Sequence, residues 1–146
     1  MRNRSLISTG PAPRGDVTAE MRLLGAVPSF TDAPASLLRT LVEVGHVVKV
    51  RPGWAILAEQ TTPDKAYVLL DGEVDVRRGG VDLEPCHRGE ILGELGIVRR
   101  RLRSATVVTS RRSTLLHLER SAFEAVFAED SYFRDLVGEA VVRKSA

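Results

Sequence analysis

The sequence has a single cysteine, Cys86, among its 146 residues. One cysteine excludes an internal disulfide and is typical of a reducing compartment. No apolar run approaches the roughly 18 residues that span a membrane, and the basic first residues are not followed by the apolar segment of a signal peptide. These absences predict a cytoplasmic protein without a membrane segment.

Aromatic residues are also few, and the net charge is small. Phe, Trp and Tyr make up 5% of the sequence, and 21 basic residues against 19 acidic ones leave a formal charge of +2. Nucleic-acid-binding proteins commonly have more of both, so nucleic acid bound through arginines 99–101, 111 and 112 is the less favoured alternative. Only three basic residues are lysines (Lys49, Lys65 and Lys144), and such an excess of arginine is typical of a GC-rich bacterial genome.

Catalytic and metal-binding motifs are missing as well. The sequence contains no Walker A motif, no G-x-S-x-G motif and no pair of carboxylates at catalytic spacing. Cys86 and His87 are adjacent, but consecutive residues of a strand point to opposite faces and do not easily share a metal ion. We therefore expect a protein that is not an enzyme and that needs neither a metal nor a cofactor.

The sequence does contain clear apolar periodicity. Residues 1–18 are rich in Ser, Thr, Gly, Pro and Arg and predict a flexible tail, and residues 19–146 are long enough for one domain. This domain begins with an apolar pattern from Ala19 to Phe30, which predicts one helix ending near Pro28, and continues with a second helix capped by Asp32. At its end, Ser121 and Glu124 form a predicted capping box, and Asp130 or Ser131 is the predicted cap of a last helix.

Between these helices the apolar period changes from 3.6 to 2, which predicts strands. Turn residues such as Pro52-Gly53 and Gly79-Gly80 separate them. The predicted strands are His46–Val50, Ala55–Ala58, Lys65–Leu70, Glu73–Arg78, Val81–His87, Thr106–Thr109 and Ser113–Glu119. Short strands with frequent turns predict a mainly β fold with flanking helices, either an antiparallel sandwich or an antiparallel β-roll resembling a jelly roll.

The stretch from Gly93 to Val107, G-E-L-G-I-V-R-R-R-L-R-S-A-T-V, carries the chemistry. Glu94 follows a glycine at the start of a short predicted helix, where a carboxylate can accept from a sugar hydroxyl. Nine residues later, Arg103 offers a planar fork that matches two oxygens of a phosphate. Ser104 adds a hydroxyl, and Ala105 leaves its N–H group open. The spacing predicts a ribose contact and a phosphate contact in one short unit.

These residues resemble the phosphate-binding cassette of the cyclic nucleotide-binding domain family. Gly93-Glu94-Leu95-Gly96 and Arg103-Ser104-Ala105 match its two conserved ends, and the similarity extends over roughly residues 20 to 142. The resemblance implies that Glu94 accepts from the ribose 2′-hydroxyl. It also implies that Arg103 and Ser104 hold the cyclic phosphate, with Gly93 and the N–H groups of Leu95 and Ala105. Val76 and Cys86 match positions that line the base pocket, and the last helix would cover the base.

The sequence departs from the family pattern at two positions: Gln60 stands where the family often has glycine, and Leu102 where proline is common. No helix-turn-helix or kinase-inhibitory segment follows the last helix. The resemblance thus implies a stand-alone sensor or adaptor for a 3′,5′-cyclic mononucleotide, cAMP rather than cGMP. A partner protein, or a second copy docked through the last helix, would read the signal. The alternative is a degenerate scaffold with a filled pocket, in which Glu94 and Arg103 pair with each other.

Overall fold

The computed structural model describes residues 15–145, so most of the predicted tail lies outside the described residues. Helix α1 (Val17–Gly25) begins two residues before the predicted domain boundary, because the Asp16 side chain accepts from the N–H groups of Thr18 and Ala19. A short 3-10 helix (Pro28–Phe30) and helix α2 (Ala35–Val44) follow. The predicted cap at Asp32 is wrong, since the N-cap of α2 is Pro34 and no side chain caps it.

Eight strands form two four-stranded antiparallel sheets within residues 15–145, in the orders β1-β8-β3-β6 and β2-β7-β4-β5. The strands are β1 (His46–Val50), β2 (Ala55–Leu57), β3 (Lys65–Asp71), β4 (Val74–Arg78), β5 (Val81–Asp82), β6 (Ile91–Leu92), β7 (Thr106–Thr109) and β8 (Ser113–Glu119). Helix α3 (Glu94–Arg99) lies between β6 and β7. This architecture confirms the predicted mainly β fold with flanking helices.

The region between β4 and α3 is less regular than predicted. The expected strand Val81–His87 is reduced to the two residues of β5, and Cys86 forms only an isolated bridge with Val74. Strand β6 was not predicted. It is too short to show an alternating pattern, and both of its residues are buried. This irregular segment forms part of the wall of the cavity described below.

Strand β3 is buried on both faces and separates two apolar clusters. Tyr67 and Leu69 point into the roll, whereas Ala66, Val68 and Leu70 contact the helices, as the two-residue period of a strand requires. Five consecutive residues of β3 are therefore buried, and the strand appears in the sequence as one apolar run.

Two helices follow β8: α4 (Arg120–Glu129) and α5 (Ser131–Ser145). The predicted capping box is wrong, because α4 begins after Glu119 and Glu124 forms an i,i+4 ion pair with Arg120 instead. The predicted cap at Asp130 is confirmed: its carboxylate accepts from the Phe133 N–H at 2.8 Å. Helix α5 packs against α3 and α4. None of the described helices is both long and apolar enough to cross a membrane.

Candidate functional site

A cavity of about 830 Å³ lies between the roll, α3 and the end of α5. All eight residues predicted as ligand-binding contribute to its lining: Val76, Cys86, Gly93, Glu94, Leu95, Arg103, Ser104 and Ala105. The structure therefore brings together residues that are up to 29 positions apart in the sequence. The exposed arginines 99–101 do not belong to this lining.

Gly93 permits the Arg103 guanidinium to lie directly against the backbone at one end of the cavity. Its φ of 88° lies in the left-handed region, which glycine adopts without steric cost. A Cβ atom at this position would lie 2.7 Å from Arg103 Nη1. Without a side chain there, Arg103 Nη1 donates to the Gly93 carbonyl at 3.0 Å. Gly93 thus joins the two ends of the cassette motif.

Arg103 is fixed by backbone carbonyls. It is 5% exposed, and besides the Gly93 contact its Nη2 donates to the carbonyl of Lys65 and lies 3.7 Å from Asp64 Oδ1. Burial lowers the pKa of the guanidinium, and the Asp64 carboxylate opposes this shift. An arginine starts from a pKa so high that it stays charged at neutral pH. The site therefore holds a permanent, oriented cation.

Glu94 is completely buried at the other end of the cassette motif. Its Oε1 accepts from Lys144 Nζ at 2.9 Å, and its Oε2 has no hydrogen-bond partner among the described residues. Lys144 lies in the last turn of α5 and also donates to the Ile91 carbonyl at 2.8 Å. The pairing of Glu94 with Arg103, which belonged to the scaffold alternative, is wrong, because each has a different partner and both line an open cavity.

Lys144 and Asp64 are two polar residues that sequence reasoning missed and that contact Glu94 and Arg103. Neither belongs to a motif, and each reaches the cassette from a different part of the chain, at 50 and 39 residues from its partner. The one available signal for Lys144 was the rarity of lysine in an arginine-rich sequence. Such a signal does not identify a partner.

The remaining wall is mostly apolar. Cys86 is 7% exposed, and burial, helped by Glu90, raises the pKa of its thiol to about 12. The thiol is therefore neutral and contributes to the wall together with Val76. Arg78, also in the lining, donates from Nε to the Ser104 carbonyl at 3.1 Å and so fixes the backbone beside Arg103. Within residues 15–145, no group of three or more His, Cys, Asp or Glu residues could hold a metal ion.

The sequence that forms this β-roll and most of its cavity matches a known family. The family model of the cyclic nucleotide-binding domain matches residues 47–130, more than half of the chain. The chain belongs to the cyclic nucleotide-binding domain family. The match covers the strands, α3 and both ends of the cassette motif, but not α5, which carries Lys144.

Similar sequences include a cGMP-dependent protein kinase, egl-4 of Caenorhabditis briggsae, which is 30% identical over 86 residues. The aligned part is 59% of this chain but only 12% of the kinase. A cyclic nucleotide-gated potassium channel of Mesorhizobium japonicum is 30% identical over 115 residues, or 76% of this chain and 31% of the channel. The chain thus spans less than a third of the length of either relative.

Similar solved structures support the fold. The regulatory domain of Toxoplasma gondii PKA with cAMP superposes with a TM-score of 0.73 at 18% identity, over 85% of this chain and 49% of that one. A cAMP-binding acyltransferase from Mycobacterium smegmatis gives a TM-score of 0.64 at 24% identity, over 82% of this chain and 39% of that one. At these identities the similarity is one of fold.

Proposed function

We propose that this domain binds a 3′,5′-cyclic mononucleotide and acts as a regulatory sensor. The observation that carries the proposal is the pair of buried charges, Glu94 and Arg103, at one cavity of about 830 Å³. Burying a charge is costly even when it is paired, as Glu94 and Arg103 are, and ionisable groups buried at a cavity are candidates for a functional site. A cyclic nucleotide has a hydroxyl for the carboxylate and a phosphate for the guanidinium. The cavity volume lies in the usual range of small-molecule sites.

In the proposed complex the ribose 2′-hydroxyl donates to Glu94. The cyclic phosphate accepts from Arg103, from the Ser104 hydroxyl and from the N–H groups of Leu95 and Ala105. The N–H groups at the start of α3 have no acceptor within their own helix, and Gly93 leaves room for the phosphate beside them. The base lies against Val76 and Cys86.

Of the two common cyclic nucleotides, cAMP is the proposed ligand. The wall formed by Val76 and the neutral Cys86 thiol offers the amino and carbonyl groups of guanine few strong partners, and unpaired polar groups are costly to bury. Two structural neighbours are described with cAMP, as a complex and as a cAMP-binding enzyme. Sequence relatives include cGMP-dependent kinases, so both nucleotides belong in the test.

The proposed signal leaves the site through α5. This helix contributes Arg143 and Lys144 to the cavity lining, while its Val142 is 70% exposed and available to a partner protein or to a second copy of the chain. The proposed role is binding rather than catalysis, and a single cysteine, which excludes an internal disulfide, suits a reducing, cytoplasmic compartment. That the domain regulates another protein in a larger assembly is likewise proposed.

Calorimetric titration with cAMP and with cGMP tests the proposal directly. We expect saturable binding by the wild type and a loss of roughly 100-fold in affinity for Arg103→Leu, because a charge-assisted fork to phosphate is removed. Arg101→Leu is the matched control. It removes an exposed arginine two residues away, outside the cavity, and should bind within about twofold of wild type.

Because Arg103 also binds two carbonyls, Arg103→Leu needs a folding check by circular dichroism. Arg103→Lys provides a second variant that keeps the charge but loses the fork, so it should also bind more weakly than the control. Absence of both heat and a thermal shift for wild type at millimolar cAMP and cGMP would contradict the sensor and favour the scaffold alternative.

A further inference from the structure

Lys144 has no part in the proposed contacts with the nucleotide, yet it contacts the residue that they depend on. Its Nζ lies 2.9 Å from Glu94 Oε1 and 2.8 Å from the Ile91 carbonyl. An ammonium and a carboxylate at this distance form a charge-assisted hydrogen bond. The end of α5 is thereby joined to the side chain that is meant to bind the ribose.

This contact closes Glu94 to a ligand. The Glu94 side chain is 0% exposed, and its second oxygen is also buried. A ribose hydroxyl cannot reach the carboxylate while every side chain keeps its present position. Something must move, and the candidates differ in how firmly they are held.

Arg103 and Gly93 are the less movable groups, since Arg103 is 5% exposed and donates to two strand-linked carbonyls. Lys144 is the more movable one. Its side chain is 29% exposed, its neighbours Val142 and Arg143 are exposed, and an ammonium released to solvent recovers its hydration. Moving Lys144 releases Oε1 of Glu94 and leaves the carbonyl contacts of Arg103 in place.

On the basis of the proposed function, we propose that the Lys144–Glu94 ion pair is a latch that a cyclic nucleotide opens. In the absence of ligand, Lys144 occupies the position on Glu94 that the ribose hydroxyl takes. The nucleotide binds by replacing it, so the buried carboxylate has a hydrogen-bond donor in both states. Replacement frees Lys144 and, with it, the last turn of α5.

The latch gives the domain a defined coupling between ligand and output. The ligand distinguishes two states because it binds only the open one, which is the requirement for a population shift. By reciprocity, any change that strengthens the Lys144–Glu94 pair lowers the affinity for the nucleotide. A partner that binds the freed Lys144 raises that affinity. The ligand also needs a donor at the ribose, because only a donor can replace an ammonium on a carboxylate.

A clamp is the competing arrangement, in which Lys144 stays on Oε1 while the hydroxyl reaches Oε2. The two arrangements predict opposite effects of removing the ammonium. A clamp variant loses affinity for the nucleotide, whereas a latch variant gains it.

The deciding variant is Lys144→Met, which keeps the length of the side chain and removes its charge. Arg143→Met is the matched control, because Arg143 is the neighbouring cation on the same helix and also lines the cavity. Each substitution removes one positive charge near an anionic ligand, which alone weakens binding a few-fold. Calorimetry with cAMP should show that Lys144→Met binds about tenfold or more tightly than Arg143→Met, as expected for the loss of a competing charge-assisted bond.

A second measurement examines the latch through the lysine itself. The chain has only three lysines, and Lys49 is exposed and serves as the internal reference for amine acylation followed by mass spectrometry. In the ligand-free protein Lys144 should be acylated more slowly than Lys49. Saturating cAMP should raise the Lys144 rate relative to Lys49, and Glu94→Gln should raise it without any nucleotide.

The outcomes separate the two proposals. If wild type binds cAMP but Lys144→Met binds no better than Arg143→Met, or if cAMP slows acylation of Lys144, the latch is overturned and the sensor stands. If neither wild type nor Lys144→Met binds cAMP or cGMP at millimolar concentration, the proposed sensor function is wrong. The latch, which rests on that function, is then wrong as well. Binding by Lys144→Met alone would support both.

Discussion

The two ends of the cavity hold their charges in different ways. At the phosphate end, Arg103 donates to backbone carbonyls of Gly93 and Lys65, which belong to the framework of the roll. At the ribose end, Glu94 is paired with Lys144, a partly exposed side chain on a helix outside the two sheets. The first arrangement is preorganised and lowers the cost of binding an anion. The second can be exchanged for a ligand group. A sensor needs both, one end to bind and one to report.

The largest expected effect comes from filling the space at the phosphate end with Gly93→Ala. Alanine at φ 88° costs about 1–2 kcal/mol, and its Cβ would displace the Arg103 guanidinium, so we expect the free energy of unfolding to fall by about 3 kcal/mol. Chemical denaturation measures this loss. Calorimetry should show that nucleotide affinity falls too.

Gly53→Ala is the matched control, because Gly53 has a φ of 83° but no atom within 4 Å of the position that an added Cβ would take. It incurs the backbone strain alone, about 1 kcal/mol, and should leave nucleotide affinity unchanged. Equal losses of stability in the two variants would show that Arg103 is not held against Gly93, and the contrast between the two ends would lose its basis.

The contrast also explains what could be predicted from the sequence. The phosphate end is encoded locally: the spacing from Gly93-Glu94 to Arg103-Ser104-Ala105 predicted residues that do line one cavity. Strand β3 was predictable because its burial on both faces produces an apolar run. Gln60, where the family resemblance implies glycine, has a left-handed φ of 65°, and its N–H donates to the Arg103 carbonyl, so this backbone conformation forms here without glycine.

The partner at the ribose end could not be predicted in the same way. The Lys144–Glu94 pair joins residues that are 50 positions apart, and only the packing of α5 against α3 brings them together. The predicted capping box of α4 failed for a related reason. Ser121 and Glu124 satisfy the capping-box pattern, but α4 begins directly after β8, at Arg120, so the junction with the strand and not the pattern determines its first residue.

A smaller effect on the free energy of unfolding is expected when the pH is lowered. It comes from His117, inside the roll that supports the phosphate end. His117 is buried, its Nδ1 has no hydrogen-bond partner among the described residues, and its ring lies 5.2 Å from that of Tyr67. Burial lowers the pKa of His117, against the opposing effect of Glu119. As pH falls below about 6.5 the unfolded chain takes up this proton before the folded protein does, so stability is lost toward acid.

Urea unfolding between pH 7.5 and 5 measures this dependence, and His117→Phe should reduce its slope. His46→Phe is the control, since His46 is the exposed residue paired with His117 across β1 and β8. A slope that His46→Phe reduces as much as His117→Phe would assign the acid sensitivity to the surface of the sheet and not to its interior.

The smallest effect is expected at Gly138, within the helix that carries the ribose-end partner. Gly138 is exposed and has no atom within 4 Å of the position of an added Cβ, so Gly138→Ala should stabilise α5 by about 0.5–1 kcal/mol and raise the Tm by about 2 to 4 °C. A firmer α5 keeps Lys144 on Glu94, and calorimetry should therefore show cAMP affinity reduced by up to about fivefold. A higher Tm with tighter cAMP binding would instead mean that an ordered α5 favours the ligand, as in a clamp.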